Sequence, residues 1–162
     1  MKTAVLLLFV LGTAILFGGS LYSSLVVEPL WASNPPESLR EWGHVIMLAG
    51  SNFFRFVTPS VGLLALITLA TSFKTAKSHF WWRLSASIVF IFVFIWSIIY
   101  FVPTAMFLSS PGLDSVSNQD AIEMTETWVR NDSIRMIFVM ISLICGVRAL
   151  FLPSKKENEK KG

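Results

Sequence analysis

The last apolar segment of the chain carries three side chains whose spacing could hold a ligand. Trp128, Asn131 and Arg135 stand at i, i+3 and i+7, so on a helix they project from one face. An arginine fork beneath an indole and an amide suits a planar ligand with an anionic or carbonyl oxygen. An interfacial tryptophan and an asparagine bonded to a neighbouring helix would give the same pattern, and the sequence leaves both interpretations open.

A second arginine, Arg55, lies a few residues inside another apolar stretch. Arginine costs about 2.5–3.5 kcal/mol at the centre of a bilayer, although near the boundary its long stem can reach outward to water. Arg55 and Arg135, with Glu28 nearby, predict a shared polar pocket in which the arginines bind an anionic or enolate oxygen. The aromatic residues expected to line that pocket are Trp31, Trp128 and Tyr100. The acids expected to pair with the arginines are Glu28, Glu123 and Asp132.

If the pocket is catalytic it needs a base, and the candidates are His44 and Glu28. Glu41 and His44 also have the Glu-x-x-His spacing found in carboxylate-bridged di-iron bundles. A complete di-iron set needs a second such pair, and the other histidine, His79, falls on the opposite side of the predicted membrane. The sequence therefore predicts no metal site and no cofactor. Whether His44 binds a metal together with Glu41 or Glu28 stays open.

Four apolar segments carry these residues, each near or above the roughly 20 residues that a helix needs to cross a bilayer. They cover about residues 4–27, 53–73, 81–107 and 129–152. The 162 residues are 54% apolar and only 14% charged, which is outside ordinary soluble usage. We therefore expect one all-α integral membrane domain, an antiparallel four-helix bundle. A short extra helix is expected in the first outer loop, over 37–47, and a disordered charged tail over 153–162.

Positive charge is concentrated on one side of the four segments. Nine Lys and Arg residues fall on the side of both termini, and four fall on the other side together with eight of the ten acids. Basic residues are retained in the cytoplasm during insertion, so the chain is predicted to be a multi-pass protein of a bacterial inner membrane with both termini cytoplasmic. No Lys/Arg stripe alternates with aromatic residues, which argues against nucleic acid as a partner.

Short motifs spread over nearly the whole chain resemble one known family. They are the runs 18–22 (GGSLY), 26–31 (VVEPLW), 34–39 (NPPESL), 100–103 (YFVP) and 128–135 (WVRNDSIR). These motifs resemble the anthrone-oxygenase-like family of small four-helix membrane proteins. The resemblance implies the same fold. Since fungal members oxidise anthrones to anthraquinones without a recognised cofactor site, it also implies an oxygenase-like activity.

Two functions stay open on this evidence. The first is binding of a small hydrophobic or aromatic molecule in the outer pocket, with oxygenase-like conversion. The second is a non-enzymatic accessory role, in which the small residues of the first segment and the acidic helix before Trp128 contact a lipid, a second copy or another membrane chain. A monomeric transporter is disfavoured because no acidic residue is predicted at mid-membrane.

Overall fold

The computed structural model describes residues 2–73 and 75–152, without the side chains at positions 2, 44, 46–49 and 51. Within these ranges the chain is mainly helical and has no strand. Four helical stretches are long and apolar enough to cross a membrane: Thr3–Ala32, Asn52–Ser72, Lys77–Leu108 and Asn118–Phe151. By length and composition the chain is therefore a multi-pass integral membrane protein. The tail predicted over 153–162 lies outside the described residues.

The stretches are built from six α-helices among the described residues. These are α1 (Lys2–Tyr22), α2 (Glu28–Ala32), α3 (His44–Ser72), α4 (Lys77–Trp96), α5 (Val102–Leu108) and α6 (Asn118–Phe151). Both α1 and α4 pack against α3 and α6, which gives a four-helix bundle with neighbours in chain order. We call the end with the connections 33–36 and 109–117 the loop end. The end with the short α3–α4 connection is the turn end.

Two of the stretches contain a widened, π-helical turn directly before an X-Pro pair. The turns are Ser23–Val27 and Ser97–Phe101. The N–H of Glu28 donates to the carbonyl of Ser23, and that of Val102 to the carbonyl of Ser97, five residues back in each case. Proline lacks an N–H and its ring crowds the carbonyl four residues back, so the wider turn relieves that crowding. The first helix therefore continues past residue 27, its predicted end, to Ala32.

The segment after the first stretch also differs from the expectation. The sequence predicts a separate short helix over 37–47, whereas the structure has a π-helical turn, Leu39–Gly43, that continues directly into α3. Gly50, Ser51 and Asn52, a run that predicts a bend before the second apolar segment, lie inside α3. Their poor helix propensity costs up to about 1 kcal/mol each, but none removes a backbone N–H as proline does. The helix therefore runs through them.

The buried apolar residues form two clusters along the bundle. The turn-end core consists of Leu6, Phe9, Val10, Leu16, Val61, Ala65, Ala86, Phe90, Cys145 and Ala149. The loop-end core consists of Trp31, Leu39, Phe101, Leu108, Leu113, Ala121 and Trp128. In the first, glycines allow close helix approach, since a Cβ on Gly12 would lie 2.8 Å from Val61 and one on Gly146 would lie 2.8 Å from Val10.

Candidate functional site

Three ionisable side chains meet inside the bundle, and we call them the charged centre. Glu28 and Asp132 are only 2% and 1% exposed. The guanidinium of Arg135 forms an ion pair with Oδ1 of Asp132, one turn away on α6. The Glu28 carboxyl, at the start of α2, lies within hydrogen-bonding reach of the Asp132 carboxyl. Of the acids expected to pair with an arginine, Asp132 is thus the one that contacts Arg135 directly.

The two π-helical turns hold the neighbours of the charged centre. Glu28 follows the first turn, and Ser24 within that turn donates a long 3.5 Å hydrogen bond to Oε2 of Glu28. Ser97 begins the second turn and accepts a 3.3 Å hydrogen bond from Nη1 of Arg135. Phe101 ends that turn and places its ring centroid 4.3 Å from Cζ of Arg135, a cation–π distance. Widened turns of this kind are frequent at functional sites.

Aromatic side chains of the loop-end core pack beside the charged centre. Trp31 and Trp128 meet edge to face with ring centroids 5.2 Å apart, and Trp128 meets Phe101 in the same way at 5.5 Å. Nε1 of Trp128 donates a 3.3 Å hydrogen bond to the carbonyl of Phe101, so the buried indole satisfies its donor. The two tryptophans expected to line a ligand therefore contact each other.

The remaining residues predicted for the site lie apart from the charged centre. Arg55 is exposed on α3, and Asn131 is partly buried on α6. Within the described residues, neither has a hydrogen bond or ion pair to the centre. Tyr100 lines a separate pocket with Thr104, Asp120, Glu123, Met124 and Thr127. The side chain of His44, the other candidate base, lies outside the described residues. The described part of the chain contains no group of three His, Cys, Asp or Glu side chains that could hold a metal.

A cavity of about 10 Å³ lies beside Arg135. It is lined by Leu16, Ser20, Phe54, Thr58, Val93, Ser97, Arg135 and Val139. A cavity of that size is near the lower limit for a single water molecule. In the conformation described, the space next to the guanidinium therefore admits a water molecule or a small polar group, and a ring would require Phe54 or another wall to move.

The charge balance of the centre decides which ligand it suits. Two carboxylates face one guanidinium, so the fully ionised set carries one negative charge, and a hydrogen bond between the carboxyls requires one added proton. Among the described residues, Oε1 of Glu28 has no donor directed at it. Because Asp132 already neutralises Arg135, the centre suits a ligand that donates an O–H to a carboxylate better than it suits a free anion.

Sequence reasoning overlooked two residues that contact Arg135, namely Ser97 and Phe101. The available signal was Ser97, a polar residue in a strongly apolar segment, followed within two turns by Pro103. Proline in a membrane helix frees backbone groups that local π-type turns and hydroxyl side chains satisfy. A serine one or two turns before a proline in such a segment is therefore a useful indicator of a widened turn.

The fold and the charged centre define a multi-pass helical membrane protein with ionisable groups buried inside its bundle. Comparison of the chain with protein-family models, with curated proteins and with solved structures finds no match. What the protein does must therefore follow from the chemistry of the charged centre.

Proposed function

We propose that this membrane protein binds a small aromatic or otherwise hydrophobic molecule that carries a hydroxyl or enol group. The observation that supports this is the buried Glu28, whose Oε1 lacks a donor among the described residues while its carboxyl adjoins the Asp132–Arg135 ion pair. Buried ion pairs can often be replaced by apolar residues with no loss of stability. Ionisable residues inside membrane helices therefore indicate function by default.

In this proposal each member of the centre has a distinct role. The hydroxyl of the ligand donates to Glu28, and the ligand oxygen, as it gains negative charge, faces Arg135. Arg135 keeps Asp132 on one side and presents to the ligand the N–H that now donates to Ser97. Asp132 thus orients the guanidinium, and Phe101 covers its face.

The resemblance to the anthrone-oxygenase-like family adds a reaction to this proposal. Glu28 would take a proton from an enolisable substrate, and the electron pair would remain on the substrate oxygen next to Arg135. Dioxygen would then accept the electron pair, forming a C–O bond at the enolate carbon, and the protonated hydroperoxide would lose water to leave a new carbonyl. The reaction rests on the resemblance alone, whereas binding rests on the buried carboxyl.

Native mass spectrometry in a mild detergent tests the binding proposal. We expect the wild type to retain a small organic molecule, or added 2-naphthol, and Glu28→Gln to lose it, because the amide keeps the shape but loses the charge. Arg55→Gln removes an exposed arginine and serves as the matched control, with retention as in the wild type. Equal retention by Glu28→Gln, or a wild type that binds neither molecule, would overturn the proposal.

We also infer that the loop end is outside the cell and that both termini are cytoplasmic. Lys77, Arg83 and Arg148 lie toward the turn end, while the acids of the described residues lie toward the loop end. Ser33→Cys and Ala76→Cys place exposed thiols at the two ends, and the native Cys145 is buried. A membrane-impermeant maleimide should label the first and spare the second in intact cells. The reverse labelling would invert the topology.

A second copy or another membrane chain is the alternative partner, and the small residues of the first segment offer it only part of their surface. Two of the three glycines in the first segment face neighbours inside the chain, since Cβ atoms on Gly12 and Gly19 would come within 2.8 Å or less of Val61 and Phe53. Gly18 has open space around it. Of the surfaces considered for a partner, the face around Gly18 and the acidic part of α6 before Trp128 therefore remain open.

A further inference from the structure

We propose that the ligand enters sideways from the bilayer, with its ring in an apolar groove between α1 and α3 and its hydroxyl passing Phe54 to the charged centre. The proposal rests on the function proposed above and adds the route and the physical class of the ligand. The groove has a volume of about 490 Å³ and is lined by Gly19, Tyr22, Ser23, Val27, Leu30, Gly50, Phe53 and Phe54. Small-molecule sites typically have about 300–1,000 Å³.

The groove and the charged centre share one helical turn. Ser23 and Val27 of the first π-helical turn line the groove. Ser24, the next residue, donates to Glu28 on the inner side of the same turn. A molecule in the groove is therefore separated from the buried carboxyl by the thickness of a single turn.

The groove and the cavity beside Arg135 also share one wall. Phe54 lines both of them, and the cavity side presents Ser20, Ser97 and Arg135. The Phe54 ring packs edge to face on Phe53, with centroids 5.0 Å apart. A rotation of this one side chain would join the groove to the polar cavity, so Phe54 is placed as a gate between them.

The lining of the route points to an aromatic molecule with one polar end. Tyr22, Phe53 and Phe54 provide flat aromatic surfaces in the groove. Arg135 and the hydroxyl of Ser97 lie beyond Phe54. A ring substituted with a hydroxyl matches that order of apolar and polar surfaces. Entry from the aqueous side is blocked by the loop-end core, where Trp31 and Leu108 are at most 2% exposed. The bilayer is thus the accessible source of the ligand.

Two glycine substitutions test the route in the full chain, reconstituted in lipid nanodiscs. A Cβ on Gly50 or on Gly18 would meet nothing within 4 Å, but only Gly50 lines the groove. Gly50→Leu therefore fills the groove, and Gly18→Leu makes the same change on an open face. Binding of 2-naphthol is followed by quenching of tryptophan fluorescence. We expect Gly50→Leu to raise Kd at least about tenfold and Gly18→Leu to stay within about twofold of the wild type.

A parallel titration with naphthalene, which lacks the hydroxyl, distinguishes failure of the proposed route from failure of the proposed function. Glu28→Gln should abolish the preference for 2-naphthol over naphthalene, whereas Gly50→Leu should weaken both. If Glu28→Gln abolishes the preference and Gly50→Leu binds like the wild type, the route is wrong and the function stands. A wild type without any preference overturns the function and the route that rests on it. Loss of a co-purified phospholipid from Gly50→Leu, with 2-naphthol binding unchanged, would make the groove a lipid site and also overturn the route.

Discussion

The two halves of the bundle differ in how they are held together. In the turn-end half, helices without π-helical turns pack through apolar residues. Phe9 and Phe90 meet edge to face with centroids 5.7 Å apart, and Gly146 packs closely against Val10. In the loop-end half, two helices widen into π-helical turns and surround Glu28, Asp132 and Arg135. The difference indicates that the regular half holds the bundle together, while the interrupted half accommodates charge.

The buried polar groups of the two halves follow the same division. In the turn-end half, Thr13 donates to a carbonyl of its own helix at 2.7 Å, and Ser142 on α6 donates to the carbonyl of Ala86 at 2.8 Å. Such neutral hydroxyl bonds add little cost in a bilayer. Arg83, which is also buried, donates to Thr71 near the ends of two helices, where a long side chain can reach the interface. The charged centre instead brings two acids and one arginine together from two helical stretches, Thr3–Ala32 and Asn118–Phe151.

The largest effect on stability is expected from Arg135→Ala, which removes the only cation of the charged centre. Removing the guanidinium leaves Asp132 and Glu28 buried without a counter-charge. Stranding one partner of a buried ion pair typically costs about 3–5 kcal/mol. We expect that loss in the free energy of unfolding, measured by chemical denaturation in mixed micelles.

Arg55→Ala is the matched control for that measurement, because Arg55 is exposed on α3. It should change the unfolding free energy by no more than about 0.5 kcal/mol. Equal stability of the two variants would mean that the charged centre is not held by Arg135. The two halves of the bundle would then differ in helix geometry, but not in the contribution of buried charge to stability.

The next effect concerns packing in the turn-end half. Gly146→Val puts side-chain atoms where a Cβ would already lie 2.8 Å from Val10. Overpacking of this kind typically costs about 1–3 kcal/mol. A matched Gly18→Val, in open space on α1, should change stability by no more than about 0.5 kcal/mol, because valine is a slightly better helix former than glycine. The measurement is thermal unfolding in the same detergent.

Size compensation sharpens this test. Val10→Ala in the Gly146→Val background should recover a large part of the loss, because it removes the contacted methyl groups. The double variant should also retain its preference for 2-naphthol over naphthalene, since the charged centre is in the other half. Loss of that preference would contradict the proposal that ligand binding depends on the loop-end half alone.

The four spanning stretches could be predicted from the sequence, whereas the arrangement of charge in the loop-end half could not. Segment length, apolar content and charge are local properties, and they predict the four spanning stretches. Whether an arginine faces lipid or protein depends on how its helix is rotated, so Arg55 and Arg135 look alike in the sequence and differ in the structure. Pro29 reads as a helix end, but packing of the following turn keeps the chain helical through a widened turn.

A smaller effect is expected from Trp128→Phe in the loop-end core. The ring can still meet Trp31 and Phe101, but the hydrogen bond from Nε1 to the carbonyl of Phe101 is lost. A hydrogen bond of this type contributes about 0.5–1.5 kcal/mol. Trp81→Phe, at an exposed tryptophan of the turn end, is the control in thermal unfolding and should match the wild type. Equal destabilisation of both variants would show that indole size, not the buried hydrogen bond, decides the result.

The smallest effect is expected at the exposed ion pair of the loop end. Asp114 contacts Nη2 of Arg40 at 2.9 Å and Nε at 3.0 Å, with both side chains open to water. Exposed pairs contribute only about 0.2–1 kcal/mol and weaken in salt. Asp114→Asn should therefore lower stability slightly at low ionic strength and have no effect at high salt, whereas the loss in Arg135→Ala should persist in salt because that pair is buried. An equal salt response of the two variants would show that water reaches Arg135, and burial would no longer distinguish the charged centre from the surface around it.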